Sequence, residues 1–90
     1  MSLEELRKEI DRIDNEILSR LIKRKNIVKE IAKIKKELGK PILDEEREQQ
    51  LIEKLKLKSN EKGLDRDFIG SLYGIIIKNS REEQEKIVKH

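Results

Sequence analysis

Residues 3–38 read LEELRKEIDRIDNEILSRLIKRKNIVKEIAKIKKEL, a stretch without a glycine or a proline. Aliphatic residues recur at 3, 6, 10, 13, 17 and 21, then at 27, 28, 31, 34 and 38. That is helical spacing from end to end, with none of the alternation of a strand. "SLEE" opens the segment as a capping box, with Ser2 as N-cap and Glu5 three positions on. Gly39 and Pro41 close it. At 1.5 Å per residue this helix is about 54 Å long. A compact chain of this size has a radius of gyration of only about 12 Å, so its own chain cannot cover such a rod. No Gly or Pro offers a hinge. The spacing predicts a long helix alongside which a second copy packs.

Beyond it, GKPILDEEREQQ (39–50) starts a second helix that runs from about Asp44 to about Lys62, where Gly63 is a good C-terminal cap. A third begins at Asp65 and runs near to the end, with Leu64 and Ile69 at the two positions of a hydrophobic staple. There is no strand signal, repeat or low-complexity linker. The expected fold is all-α: a single domain, 1–90, of one long and two shorter helices, forming an intertwined helical homodimer.

Composition supports this and narrows function. Charged residues make up 46% of the 90 positions and hydrophobic ones 34%, with Phe68 and Tyr73 the only aromatics. A core of so few Ile, Leu and Val is thin, and self-association remedies it. There is no Cys, hence no disulfide framework and no thiolate metal site, which fits a reducing, cytoplasmic setting. The one histidine is the last residue, His90, which leaves little for histidine-based catalysis. No apolar run approaches the roughly 20 residues of a membrane span, and no signal-like segment opens the chain. The 22 basic and 19 acidic residues are interspersed. Without a basic patch or stacking aromatics, nucleic acid is not an expected partner.

The informative residues are those that break the apolar stripes. In steps of seven the first helix reads Leu3, Ile10, Ile17, Arg24, Ile31, Leu38, and the neighbouring column Leu6, Ile13, Arg20, Ile27, Ile34. Lys35 lies 11 residues beyond Arg24, a rotation of about 20°, so the two point the same way about 16 Å apart. In the second helix the stripe Leu51, Ile52, Leu55 extends back to Glu48 and then Asp44. Glu48 stands where a staple would place an apolar residue opposite Leu43. In the third, Ile69, Tyr73 and Ile76 lead to Ser80 and Gln84, then to Ile87.

Each break has a structural explanation of its own. Ser80 can bond back to its own helix, Gln84 can specify register, and Arg24 with Glu48 can form a buried ion pair that adds little net stability. Together, breaks on all three helices describe a polar cavity inside a bundle. Several cations against two acids suit a small anion, a carboxylate that Arg grips bidentately.

The chain resembles the all-helical class of chorismate mutases, which convert chorismate to prephenate on the route to phenylalanine and tyrosine. The matching stretches are LRKEIDRIDNEIL with Arg7, LIKRKNIVKEIAKIK with Arg24 and Lys35, PILDEEREQQL with Asp44, Arg47 and Glu48, and IIIKNSREEQ with Ser80 and Gln84. They cover essentially the whole chain. The resemblance implies a homodimer whose long helices run antiparallel, with Arg7 serving the partner's site. It further implies that Arg24 and the partner's Arg7 bind the two substrate carboxylates and that Ser80 supports the ring carboxylate. Lys35 and Gln84 donate to the ether oxygen. Glu48 accepts from the ring hydroxyl, with Asp44 assisting and Arg47 lining the pocket. Arg20 has no place in that site and is expected at a dimer or solvent surface.

The implied reaction is a unimolecular [3,3] rearrangement that needs no nucleophile, metal or redox cofactor. It asks for a substrate held in a chair-like shape and for donors aimed at the charge that develops on the ether oxygen. Gln84 donates without being protonated, so no acid requirement is expected. The chain ends soon after the third helix, so no regulatory domain is expected within it. Two alternatives remain: isochorismate pyruvate lyase, which shares the fold and much of the cationic pocket, and a silent helical binding or regulatory module. Glu48, placed for the chorismate hydroxyl, favours the mutase. A plain coiled-coil scaffold leaves Lys35, Glu48 and Gln84 in register unexplained.

Overall fold

The computed structural model describes residues 1–89, and His90 lies outside the described residues. Three helices follow in order: α1 (Leu3–Leu38), α2 (Glu45–Glu61) and α3 (Arg66–Val88). Each start is capped as the sequence suggests. Ser2 accepts from the Glu5 N–H, Asp44 from Arg47 and Asp65 from Asp67, satisfying donors that a helix start leaves orphaned.

The first two helices end in the same way. Gly39 has φ 67° and Gly63 φ 86°, a left-handed conformation that costs glycine little. Gly39 N–H donates to Lys36 O (3.3 Å) and Lys40 N–H to Lys35 O (2.9 Å). Gly63 N–H and Leu64 N–H repeat the pair on Asn60 O (3.2 Å) and Ser59 O (2.8 Å). These are Schellman closures, and they turn the chain sharply enough for the next helix to double back.

α1 sets the long dimension of the molecule, which measures 54 × 26 × 14 Å with a radius of gyration of 16.4 Å. That radius exceeds the value of about 12 Å for a compact chain. α3 packs on both α1 and α2. The buried apolar side chains are Val28 and Ala32 of α1 with Ile69 and Ile77 of α3. α2 buries none fully; its stripe Leu51, Ile52 and Leu55 is half-buried.

The stripes of α1 divide in a way the heptad columns do not reveal. Every aliphatic of the two columns, from Leu3 and Leu6 to Ile34 and Leu38, is 42–63% exposed. What α3 covers is instead Val28 and Ala32, flanked by half-buried Arg24 and Lys35. The cause is length: α3 meets α1 only over its C-terminal half. Ile10, Ile17 and Leu21 point within about 20° of Val28, so the covered face continues toward the N-terminus, where these three are 41–56% exposed. Among the described residues no helix is long and apolar enough to cross a membrane.

Candidate active site

The polar breaks of α1 and α3 meet along their seam. Ser80 and Gln84 are one turn apart on the face of α3 turned to α1, and are 9% and 8% exposed. Arg24 Nη1 donates to Ser80 Oγ, and Ser80 Oγ donates to Ile76 O at 2.9 Å. The hydroxyl thus bonds back to its own helix while it holds the guanidinium. Its single proton is committed to Ile76, so donation to a substrate carboxylate requires the hydroxyl to turn.

At the other end of the seam Lys35 Nζ donates to Ile42 O (2.9 Å) and to Gln84 Oε1 (3.1 Å). An ammonium only donates, so the amide oxygen of Gln84 must face it and the NH₂ group points away with both protons free. An ammonium carries three N–H bonds, and one of Lys35's remains unused in these two contacts. Among the described residues no carboxylate lies within 4.0 Å of Arg24 or Lys35. Both cations are held by neutral groups, and their charge is left for something else.

α2 brings its acids to the same region from its first turn. Asp44 Oδ1 caps the helix through Arg47 N–H at 3.1 Å, and both side chains are exposed. Glu48 is half-buried, with Oε2 at 3.6 Å from Arg81 Nε of α3. That Nε is fully buried and has no hydrogen-bond acceptor. Arg81 does not stand out in the sequence, because REEQEK reads as a solvated charge run. The only available signal is its place directly after Ser80, at the edge of the α3 core face.

Glu83 braces the same seam, 3.8 Å from Lys25 of α1 and 3.3 Å from Lys86. Partial burial pushes its carboxyl up. The Lys86 hydrogen bond and the charges of Lys25, Lys86 and Lys29 outweigh that and hold it below the ordinary glutamate value.

Arg7 is exposed on the uncovered half of α1. It precedes Arg24 by 17 residues, about 26 Å along the helix, so a single chain does not bring it to the other site residues. Arg20 is also exposed, in a shallow hollow with Asn15, Glu16, Ser19 and Lys23. Two open hollows flank the polar seam. One of about 380 Å³ runs from Arg24 and Ser80 over exposed Leu18, Leu21, Ile22 and Ile75. The other, about 580 Å³, lies between Lys35, Lys40, Leu43 and Asp44. Among the described residues no cluster of three or more His, Asp or Glu is placed to hold a metal ion.

Residues 6–85 match the protein family described as chorismate mutase type II. The chain is 33% identical, over 97% of its length, to the chorismate mutase of Methanocaldococcus jannaschii, 88% of which is covered. It is 51% identical over 53 residues to the bifunctional chorismate mutase/prephenate dehydratase of Aquifex aeolicus, covering 59% of this chain but 15% of that protein. The T-protein of Haemophilus influenzae is 34% identical over 76% of the chain, which spans 18% of its length.

Proposed function

The chain belongs to the type II chorismate mutase family, and from that premise we propose that it catalyses the rearrangement of chorismate to prephenate in the biosynthesis of phenylalanine and tyrosine. The observation that carries the reading is the Lys35–Gln84 pair. It offers one free ammonium proton and a free amide NH₂ from a site in which no carboxylate neutralises the lysine. Those are the groups a breaking C–O bond needs. Negative charge grows on the ether oxygen in the transition state, and donors already aimed there stabilise it without reorganising. Each is worth about 3–4 kcal/mol of barrier by analogy with oxyanion-hole deletions.

The remaining roles are those the family resemblance implies for the side chains along the seam. Arg24, steadied by Ser80, takes one substrate carboxylate, and Ser80 supports the carboxylate on the ring. Glu48 accepts from the ring hydroxyl, with Asp44 and Arg47 at the rim. The second carboxylate clamp is Arg7 of a partner copy. A homodimer with antiparallel α1 helices covers the exposed aliphatics of α1 and carries each Arg7 to the other chain's seam. Residues 1–90 act as one domain on this reading, without metal or organic cofactor. A cytoplasmic location, with neither membrane nor nucleic acid as a partner, completes the proposal. Catalysis consists of holding the chair-like conformer between two arginines while Lys35 and Gln84 meet the developing charge.

The test is direct. Purified chain is mixed with chorismate, and loss of the diene absorbance is followed together with formation of prephenate. A parallel reaction supplies isochorismate and assays pyruvate. Turnover of chorismate is expected. A well-folded dimer that leaves chorismate untouched overturns the proposal, and pyruvate release from isochorismate as the only activity reassigns the site to the lyase reaction.

A further inference from the structure

Glu48 has no cation to hold it on its own helix. Its neighbours one turn away on α2 are Asp44 and Glu45 before it and Leu51 and Ile52 after it, two acids and two aliphatics. What faces it is Arg81 of α3, Nε to Oε2 at 3.6 Å. Arg81 has an alternative: Glu85 lies four residues on, the spacing of a helical ion pair. Its Nε is nonetheless buried against Glu48, short of hydrogen-bonding contact and with no other acceptor. A buried donor left in this state is costly. Closing the gap by less than about 1 Å makes it a charge-assisted bond of ordinary length.

We propose that Arg81 is a positioning residue for catalysis: it fixes one oxygen of Glu48 so that the other is aimed at the ring hydroxyl of the substrate. The proposal rests on the chorismate mutase reading. Glutamate has three side-chain torsions, and an unpinned carboxylate must be ordered at the moment of binding. At 3.6 Å the contact falls short of a hydrogen bond, so it contributes little to folding as it stands. Its work is orientation. The link also ties the first turn of α2 to α3 beside Ser80, so hydroxyl recognition and carboxylate recognition share one frame.

The experiment compares chorismate with its analogue lacking the ring hydroxyl, for wild-type protein and for Arg81→Gln and Arg81→Met. Methionine keeps the apolar stem while removing the guanidinium. Circular dichroism confirms that each variant is helical. Wild-type turnover of chorismate is the control for the underlying reading; its absence overturns that reading and the inference with it. With the control in place, either variant is expected to lose about tenfold in kcat/KM on chorismate and less than about twofold on the deoxy analogue. In a Glu48→Gln background the same substitutions are expected to change kcat/KM on chorismate by less than about twofold. Equal losses on both substrates, or additive losses in the double variants, make Arg81 a general structural tie and overturn the proposal. So does an unchanged wild-type selectivity.

Discussion

Lys35→Ala is the sharpest single perturbation of the site. The side chain makes two hydrogen bonds, to Ile42 O and Gln84 Oε1, and keeps one proton and an unneutralised charge for the substrate. Loss of one aimed donor costs about 3–4 kcal/mol of transition-state stabilisation, which is about 150- to 900-fold in rate. The substitution also releases Gln84, whose amide is turned by Lys35, so the second donor loses its aim. The expected fall in kcat is therefore about 10³- to 10⁴-fold or more. KM should change only a few-fold, because the carboxylate clamps are elsewhere. Stability should fall by about 1–3 kcal/mol, since Ile42 O and the oxygen of the buried Gln84 lose their donor. Chorismate consumption under saturating substrate gives kcat, and circular dichroism monitors the helices. A natively helical Lys35→Ala protein with kcat within about tenfold of wild type would refute the reasoning.

Other consequences are open to test. Ala32 is fully covered where α1 meets α3, so Ala32→Leu should overpack the seam and cost about 1–3 kcal/mol; an unchanged urea midpoint at matched protein concentration contradicts this. Ile17→Asp puts a charge into a stripe that is 52% exposed in the single chain, and should yield a chain of monomer mass by sedimentation with no chorismate turnover; an intact active dimer excludes that stripe from the interface. The folded carboxyl of Glu83 lies below its ordinary value of 4.5, so it contributes stability above that value and loses it as pH falls through the folded value. Glu83→Gln should accordingly melt below wild type near neutral pH, with the gap closing in acid; a gap independent of pH is evidence against the lysine cluster as its cause.

The helices were legible in the sequence because their ends are chemical. Ser2, Asp44 and Asp65 carry the oxygens that cap a start, and Gly39 and Gly63 adopt the backbone conformation that closes a Schellman end. The breaks at Arg24, Lys35, Ser80 and Gln84 were legible because polar groups in apolar stripes need partners, and in the structure they bond in two pairs, Arg24 with Ser80 and Lys35 with Gln84. Which face of α1 belongs to its own chain was not legible. Ile27, Ile31 and Ile34 look like core by periodicity yet are exposed, whereas Val28 and Ala32 are covered. Periodicity records that a face is apolar, not what covers it, and α1 carries more apolar surface than α3 covers. Arg81 was hidden for the opposite reason: among REEQEK a charge is the default, and only the approach of α2 gives one of them a buried Nε.

The central claim is that the working site spans two chains, with Arg24 from one and Arg7 from the other. Arg7→Ala and Arg24→Ala should each be inactive as pure proteins. After unfolding and refolding in equal amounts, half of the dimers pair one variant with the other, and each such dimer has one intact site out of two. Activity should then recover to about one quarter of wild type, as the symmetry of a two-fold dimer requires. A mixture as inactive as its components, with mixed dimers present by mass, means that Arg7 does not act across the interface.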